Sequence, residues 1–401
     1  MLYGNVKKNS EQMRAVHDDW VDILDVDIKD IVNYIKSNPL SIIDGGILNE
    51  FEKAFANFIG TKFAVAFCNG TAALHAASFA CGANKNSKFI LSEYSYFGTV
   101  NSVLENNSKV TLCDYDPNTL GIDVESAEKC LDENTVGLII THCFGNPVDM
   151  DSVAKLKKKH AIKIISDASH AHGAKWRNKI VGNSSCEDIA CFSLGKDKLI
   201  SCGELGVAVT NDALLYDSLL FMGHVNRVPK AFITTQYSGY QNCLGNKYRP
   251  HTLSMVLALN QIKRFHEKKI KNINTNEYLI NKIAQIPGFN SCKAYQHSER
   301  VYWKLIITLD KNYWGNIDFK NVVNALKEEG MPLEQWHNYN IKAHEYVWRH
   351  ERYNGLVQNK SSMGSPSNII ILPGYIDLSK KNMDLMINCF TKISENKKKI
   401  L

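Results

Sequence analysis

At 401 residues the chain is too long for one simple core, and two closely packed domains are expected. Its 44% hydrophobic and 22% charged residues are those of an ordinary soluble globular protein, and no apolar run reaches the length of a membrane span. The net charge of +6 is spread over short runs such as Lys157-Lys158-Lys159, which argues against nucleic-acid or membrane partners and at most favours anionic small substrates.

Residues 1–60 read as helical and mixed. Residues 27–36 have helical spacing, and 49–58 place Phe51, Phe55 and Phe58 on one face; Gly45 and Gly46 mark a turn between them. From there the chain alternates. Apolar strands are expected at 62–67, 88–92, 109–114, 136–142 and 162–167, with helices at 69–77, 98–106, 124–132 and 149–160. Continuous apolar strands with helices between them predict an α/β domain with a largely parallel sheet covered on both faces. It is assigned residues 1–260. A strand from Ile189 follows, then a polar turn with Lys196 and Lys198, then Gly203-Glu204-Leu205-Gly206 and a second strand.

Residues 261–401 are assigned to a smaller α+β domain. A long charged helix over 257–282 leads into it, followed by a strand at 302–308, a helix at 321–329 and an aromatic, His-rich stretch at 336–353. A strand at 369–373 and an amphipathic helix at 380–393 close the chain, and the Ser/Asn/Gly-rich run 359–368 is expected to be a mobile loop. The eleven cysteines are scattered without close CxxC spacing, so reduced thiols and no structural metal are expected. With no signal-like apolar stretch after Met1, the expected location is the cytoplasm.

Ligands of open parallel sheets gather at the carboxyl ends of the strands, where three features fall. Asn69-Gly70-Thr71-Ala72 opens a helix directly after a strand, a suitable place for a phosphate, although an ordinary N-cap needs only Asn or Thr. Asp167 closes an apolar strand and is followed by Ala168-Ser169-His170-Ala171-His172; it can pair with a buried cation or simply cap a turn. The two histidines lack a third ligand at matching spacing, so no metal site is read there. The third feature is the turn with Lys196 and Lys198, either of which suits an amine nucleophile if burial lowers its pKa. Strand-end acid, phosphate cradle and turn lysine together meet the needs of pyridoxal 5'-phosphate.

At these residues the chain resembles the DegT/DnrJ/StrS family of pyridoxal-phosphate sugar aminotransferases, in the fold-type-I aspartate aminotransferase superfamily. The resemblance rests on Gly45 to Phe55, Asn69 to Leu74, Glu93 to Asn101, Asp167 to Ala174, Phe192 to Gly206 and Gly245 to Arg249, in the family's order and spacing. It implies a mostly parallel seven-stranded sheet sandwiched by helices, with a smaller C-terminal domain. It also places the cofactor lysine six positions after Phe192, at Lys198 rather than Lys196. Asp167 would pair with the ring nitrogen, Tyr96 would stack on one ring face and Ala168 would pack the other. Gly70, Thr71 and Ser193 would hold the phosphate, with Ala72 beside them. His170 stands where the family has a Gln that contacts the ring hydroxyl. Lys247 stands where many members send an Asn to the phosphate of the second subunit. Leu205 replaces a family glycine near the pocket.

The resemblance implies transfer of an amino group from glutamate or glutamine to a keto sugar of the nucleotide-linked kind used for surface polysaccharides, with pyridoxamine 5'-phosphate between the half-reactions. It implies a homodimer with shared active sites. A keto-cyclitol aminotransferase or an aminohydroxybenzoate-type dehydratase is the alternative, because residues 247–251 look more like that branch. A non-enzymatic cofactor-binding regulator is a minor one.

Overall fold

The computed structural model describes residues 22–228, 231–334, 349–364 and 366–400. Residues 1–21 and most of the aromatic stretch 336–353 therefore lie outside the described residues. Two helices come first, α1 (Asp25–Ser37) and α2 (Gly46–Ile59). In α2 the phenylalanine spacing becomes packing: Phe51 and Phe55 are fully buried, and Phe55 meets Phe192 edge-on with ring centres 5.3 Å apart. Phe58 is half-buried and stands edge-on to Phe265 at 5.1 Å. Gly60 ends the helix at φ 90°, a conformation that a side chain would strain.

The alternation appears as β1 (Phe63–Phe67), α3 (Gly70–Ala80), β2 (Lys88–Ser92), α4 (Phe97–Leu104), β3 (Lys109–Cys113), α5 (Val124–Lys129), β4 (Thr135–Thr141), α6 (Met150–His160) and β5 (Lys163–Asp167). The short β6 (Lys175–Trp176) and β7 (Lys179–Ile180) precede β8 (Ile189–Ser193), β9 (Gly206–Thr210) and α7 (Ala213–Phe221). Next come α8 (Thr252–Ile283), β10 (Phe289–Ser291), β11 (Ser298–Glu299), β12 (Lys304–Leu309), α9 (Lys311–Trp314) and α10 (Phe319–Glu328). The chain closes with β13 (Val357–Asn359), β14 (Ile369–Pro373) and α11 (Lys380–Glu395).

The large sheet has the order β1-β9-β8-β5-β4-β2-β3-β13. Only β9 runs against its neighbours, pairing antiparallel with both β1 and β8. The seven expected strands are joined by an eighth: residues 357–359 return from the C-terminal part and pair parallel with β3, Val357 opposite Val110. That pairing satisfies backbone groups that an edge strand would otherwise leave open. The run that follows is tethered, because Asp114 accepts hydrogen bonds from the Ser361 hydroxyl and from the N–H groups of Ser362 and Met363.

Strand residues alternate between two buried layers. Val65 and Phe67 pack with α3, while Ala64 and Ala66 face the layer of α2 and α8. Helix α8 begins at Thr252, earlier than expected, because the His251 ring caps it by accepting from the Leu253 N–H. It runs unbroken past residue 260, and its far end (Leu279, Ile280 and Ile283) joins the core of the small sheet β10-β12-β14. Because Phe55 fills the seam between α2 and β8, Phe55→Ala is expected to cost about 3–5 kcal/mol of stability in urea unfolding.

Candidate active site

The carboxyl ends of the parallel strands surround a cavity of about 410 Å³. Asn69, Gly70 and Thr71 form one wall at the start of α3, and Tyr96 stands before α4. Asp167 closes β5, Ser193 closes β8, and the turn 195–198 follows; Glu204 and Trp303 complete the lining with Thr141, Ser169 and His170.

The first N–H groups of a helix have no intrahelical acceptor. The Asn69 side chain takes that of Ala72 at 2.9 Å, leaving those of Gly70 and Thr71 at the cavity wall. The positive end of the helix dipole adds to them, so this wall suits an anion. The wall is possible only without side chains at two places. A Cβ on Gly70 would lie 2.7 Å from the Ser193 Cβ, and one on Gly206 would lie 2.1 Å from the Asn69 carbonyl oxygen.

Asp167 is 4% exposed, yet three donors serve its carboxylate. The Thr99 hydroxyl donates at 2.7 Å to one oxygen, and Ser169 donates to the other through its hydroxyl at 2.6 Å and its N–H at 3.2 Å. Lys198 keeps some surface open to the cavity while its ammonium is withdrawn from bulk water. This loss of hydration pushes its pKa down from 10.5 to about 7; the negative charges of Asp167 and Asp197 oppose the shift, and the positive charge of Lys304 assists it. Lys196 is exposed at the cavity rim.

His170 is buried, and its pKa lies well below the ordinary imidazole value, through desolvation first and then the nearby Lys198 charge. The ring is therefore neutral at pH 7. Its Nδ1 accepts the Phe144 N–H at 3.3 Å, which puts the ring proton on Nε2 and settles the tautomer. Trp303 stacks on it with ring centres 3.7 Å apart.

Of the residues singled out from sequence, Gly70, Thr71, Tyr96, Asp167, His170, Ser193 and Lys198 come together around the cavity. Ala72 sits inside α3 with its N–H already taken, and Ala168 is buried behind Asp167, donating to the Cys191 carbonyl at 2.8 Å. Lys247 is exposed on the surface of its own chain, away from this lining. Leu205 does not enter the pocket: it is fully buried among Phe192, Leu194 and Leu199 on the other side of the strand, so its departure from glycine changes the core.

Sequence reasoning missed Thr99, Ser169 and Trp303. Ser169 sits at the Asx-turn distance from Asp167, a readable signal. Trp303 comes from the C-terminal part, and no local pattern joins it to the cavity.

Two outcomes are expected. Gly206→Ala should cost about 3 kcal/mol or more, read by thermal unfolding, because its Cβ meets fixed backbone rather than a movable side chain. Lys198→Met should stabilise the protein at pH 6 by a few kcal/mol, and by progressively less toward pH 10. Below about pH 7 both the folded and unfolded states carry the ammonium, and the folded state bears the full burial cost; between about 7 and 10.5 only the unfolded state stays protonated, so rising pH relieves it.

The chain is similar to known proteins. Residues 22–391 match the model of the DegT/DnrJ/EryC1/StrS aminotransferase family. GDP-perosamine synthase of Caulobacter vibrioides is 32% identical over 223 residues, 56% of this chain and 58% of that protein. Spore coat polysaccharide biosynthesis protein SpsC of Bacillus subtilis is 25% identical over 92% of this chain and 94% of its own length. A putative L-glutamine:3-amino-2,3-dideoxy-scyllo-inosose aminotransferase of Streptoalloteichus tenebrarius is 24% identical over 76% of this chain and 74% of its own. Among solved structures, an aminotransferase from Psychrobacter cryohalolentis shares the fold at TM-score 0.81 and 22% identity, covering 94% of this chain and 98% of that one. The chain thus belongs to the DegT/DnrJ/EryC1/StrS aminotransferase family, fold type I, whose cofactor is pyridoxal phosphate.

Proposed function

We propose that this enzyme moves an amino group from glutamate or glutamine to a keto group on a nucleotide-linked sugar, with Lys198 as the cofactor-bonding amine. The observation that carries this reading is the withdrawn Lys198 amine, with a pKa of about 7, within electrostatic reach of the hydrogen-bonded Asp167 in a cavity walled by a helix N-terminus.

The donor set fits pyridoxal phosphate. Gly70, Thr71 and Ser193 would hold the phosphate, Asp167 would hold a proton at the ring nitrogen, and His170 would donate from Nε2 toward the ring hydroxyl. Ala168 lies buried behind the acid, and Tyr96 supplies an aromatic wall. When bound, the cofactor supplies an aldehyde that takes up the amino group and a ring that accepts electrons. Lys198 does the proton work. An amine with a pKa of about 7 is populated in both forms at neutral pH, so it can take a proton at one carbon and return it at another. Tyr96 and Trp303 give the cavity two aromatic walls.

For the acceptor, the names of the relatives point two ways: GDP-perosamine synthases to a nucleotide-linked sugar, and scyllo-inosose aminotransferases to a keto-cyclitol. The exposed cation of Lys196 at the rim favours the first, because a diphosphate supplies the anion that a cyclitol lacks. A role in polysaccharide assembly fits the similarity to SpsC. A homodimer is supported by apolar side chains left in the open: Ile28, Val32 and Ile35 along α1, and Ile233, Tyr240 and Leu244 in the segment that leads to Lys247. Lys247 would reach the phosphate in a second copy as a point charge. Eleven free cysteines suit a reducing cytoplasm, and among the described residues no helix is long and apolar enough to cross a membrane.

The purified enzyme should show a visible cofactor band that glutamate or glutamine bleaches. Lys198→Ala should lack it and Lys196→Ala should keep it; the reverse pattern sinks the assignment. In a panel of keto substrates, nucleotide-linked sugars should restore the band, and Lys196→Ala should raise their KM about tenfold while leaving any keto-cyclitol unaffected. Turnover of keto-cyclitols alone would decide for the second reading.

A further inference from the structure

Lys198 stands in an unfavourable place. Its ammonium has lost hydration, and the residue before it, Asp197, is held at φ 65°, a left-handed conformation that a side chain disfavours. Both features favour relaxation of the turn, which would carry the amine out to water. Within the turn the backbone offers the Lys198 N–H a contact with the Gly195 carbonyl at 3.3 Å and the Cys202 N–H one with the Leu194 carbonyl at 3.0 Å, neither of which touches the amine.

Trp303 supplies what the turn lacks. It precedes β12 in the C-terminal part of the chain, and its indole N–H donates to the Asp197 carbonyl at 2.6 Å. The Lys198 Nζ lies 3.9 Å from the centre of the Trp303 ring, inside the range where a cation is attracted to the π system. His170 stacks on the same indole, and the Phe144 ring lies nearly parallel to it at 6.1 Å, so the indole is itself clamped. The indole thus grips the turn at the carbonyl before Lys198 and at the tip of the side chain.

We propose that Trp303 is the positioning residue for Lys198, so that the C-terminal part of the chain fixes where the cofactor-bonding amine stands. This rests on the reading of Lys198 given above and adds a residue that acts through it. The charged and titratable groups that act on the amine are Asp167 at the end of β5, Asp197 in the turn, Lys304 on β12, and the neutral rings of His170 and His172. Lys304 is itself paired with Glu334 at 2.7 Å and lies 5.0 Å from the same indole. A change at Trp303 leaves the charges of Asp167, Asp197 and Lys304 on the chain.

The test uses the full-length protein freed of cofactor. Competitive acetylation across pH, followed by peptide mass spectrometry, reads the labelling midpoint of Lys198 beside that of Lys88, a buried control lysine paired with Asp132 far from the cavity. In the wild type the Lys198 midpoint is expected near about 7. In Trp303→Leu it should rise by at least about one pH unit toward the ordinary lysine value, a tenfold or greater fall in the ratio of uncharged to charged amine at neutral pH, with Lys88 unchanged. Trp303→Phe keeps a ring face without the N–H, and its midpoint should fall between the two. An unmoved or lowered midpoint in Trp303→Leu overturns the proposal. So does a midpoint that moves together with Lys88, which would make Trp303 a packing residue only. Borohydride reduction of the loaded wild type, with peptide mapping, separates the two layers: a cofactor mass on Lys196 defeats the reading of the site itself.

Discussion

The site depends on how closely β9 passes the start of α3. Gly206, the first residue of β9, sits in register between Phe67 of β1 and Ser193 of β8. On this row the backbone of Asn69 and Gly70 comes so close that a methyl group at Gly206 has no room. The second small residue, Gly70, then lets the helix start lie against Ser193. Two glycines thus bring a helix N-terminus and the end of β8 to one place. The single antiparallel strand of the sheet is what makes the row possible, because β9 returns directly from the lysine turn to the spot beside the anion wall.

A second constraint is electrostatic. An amine that must act as a nucleophile near neutral pH has to be taken from water, and the folded protein bears that cost below the amine's own pKa. The surroundings temper it unevenly. Asp167 and Asp197 favour the charged form, whereas Lys304 opposes it. Asp167 can afford this role because Thr99 and Ser169 donate to it, so its buried carboxylate is satisfied without an ion pair. His170 adds no charge, being neutral with its proton on Nε2. The pocket thus sets the Lys198 amine, with its pKa lowered to about 7, beside an imidazole kept neutral by burial.

Much of this was legible in the sequence, for physical reasons. Strands buried on both faces must be apolar throughout, so β2, β4, β5 and β8 announced themselves, and with them the ends where Asp167 and Lys198 fall. Local chemistry also survived: Asn69 caps α3 as its side chain allows. What escaped was decided by contacts distant in sequence. Thr99 meets Asp167 across 68 positions, and Trp303 meets Asp197 across 106. β13 is only three residues long and carries Gln and Asn at two of them, so no periodicity marks it as a strand; it forms because the open edge of β3 needs a partner. Leu205 lies near the pocket, as its place in the chain implies, but its side chain faces away from it. Successive residues entering a strand face opposite sides, so adjacency to Glu204, which lines the cavity, placed Leu205 in the core.

The division of labour inside the cavity bears on which acceptor it admits. Its floor (Gly70, Thr71, Asp167, Ser193 and Lys198) is the part built by the sheet and by close backbone approach, where substitution is costly. With that floor given to the cofactor, the rest of the lining includes Lys196, Glu204 and Trp303: a cation, an anion and an aromatic face. Lys196 is exposed, so the packing that constrains the glycines does not bind it. Charge at the rim can therefore change without disturbing the chemistry below it, and discrimination between a diphosphate-bearing sugar and a neutral ring falls to residues the fold leaves free to vary. Trp303 is the exception. It is buried, lines the cavity and contacts both the Asp197 carbonyl and the Lys198 amine, so a change that widened the cavity there would also remove both contacts.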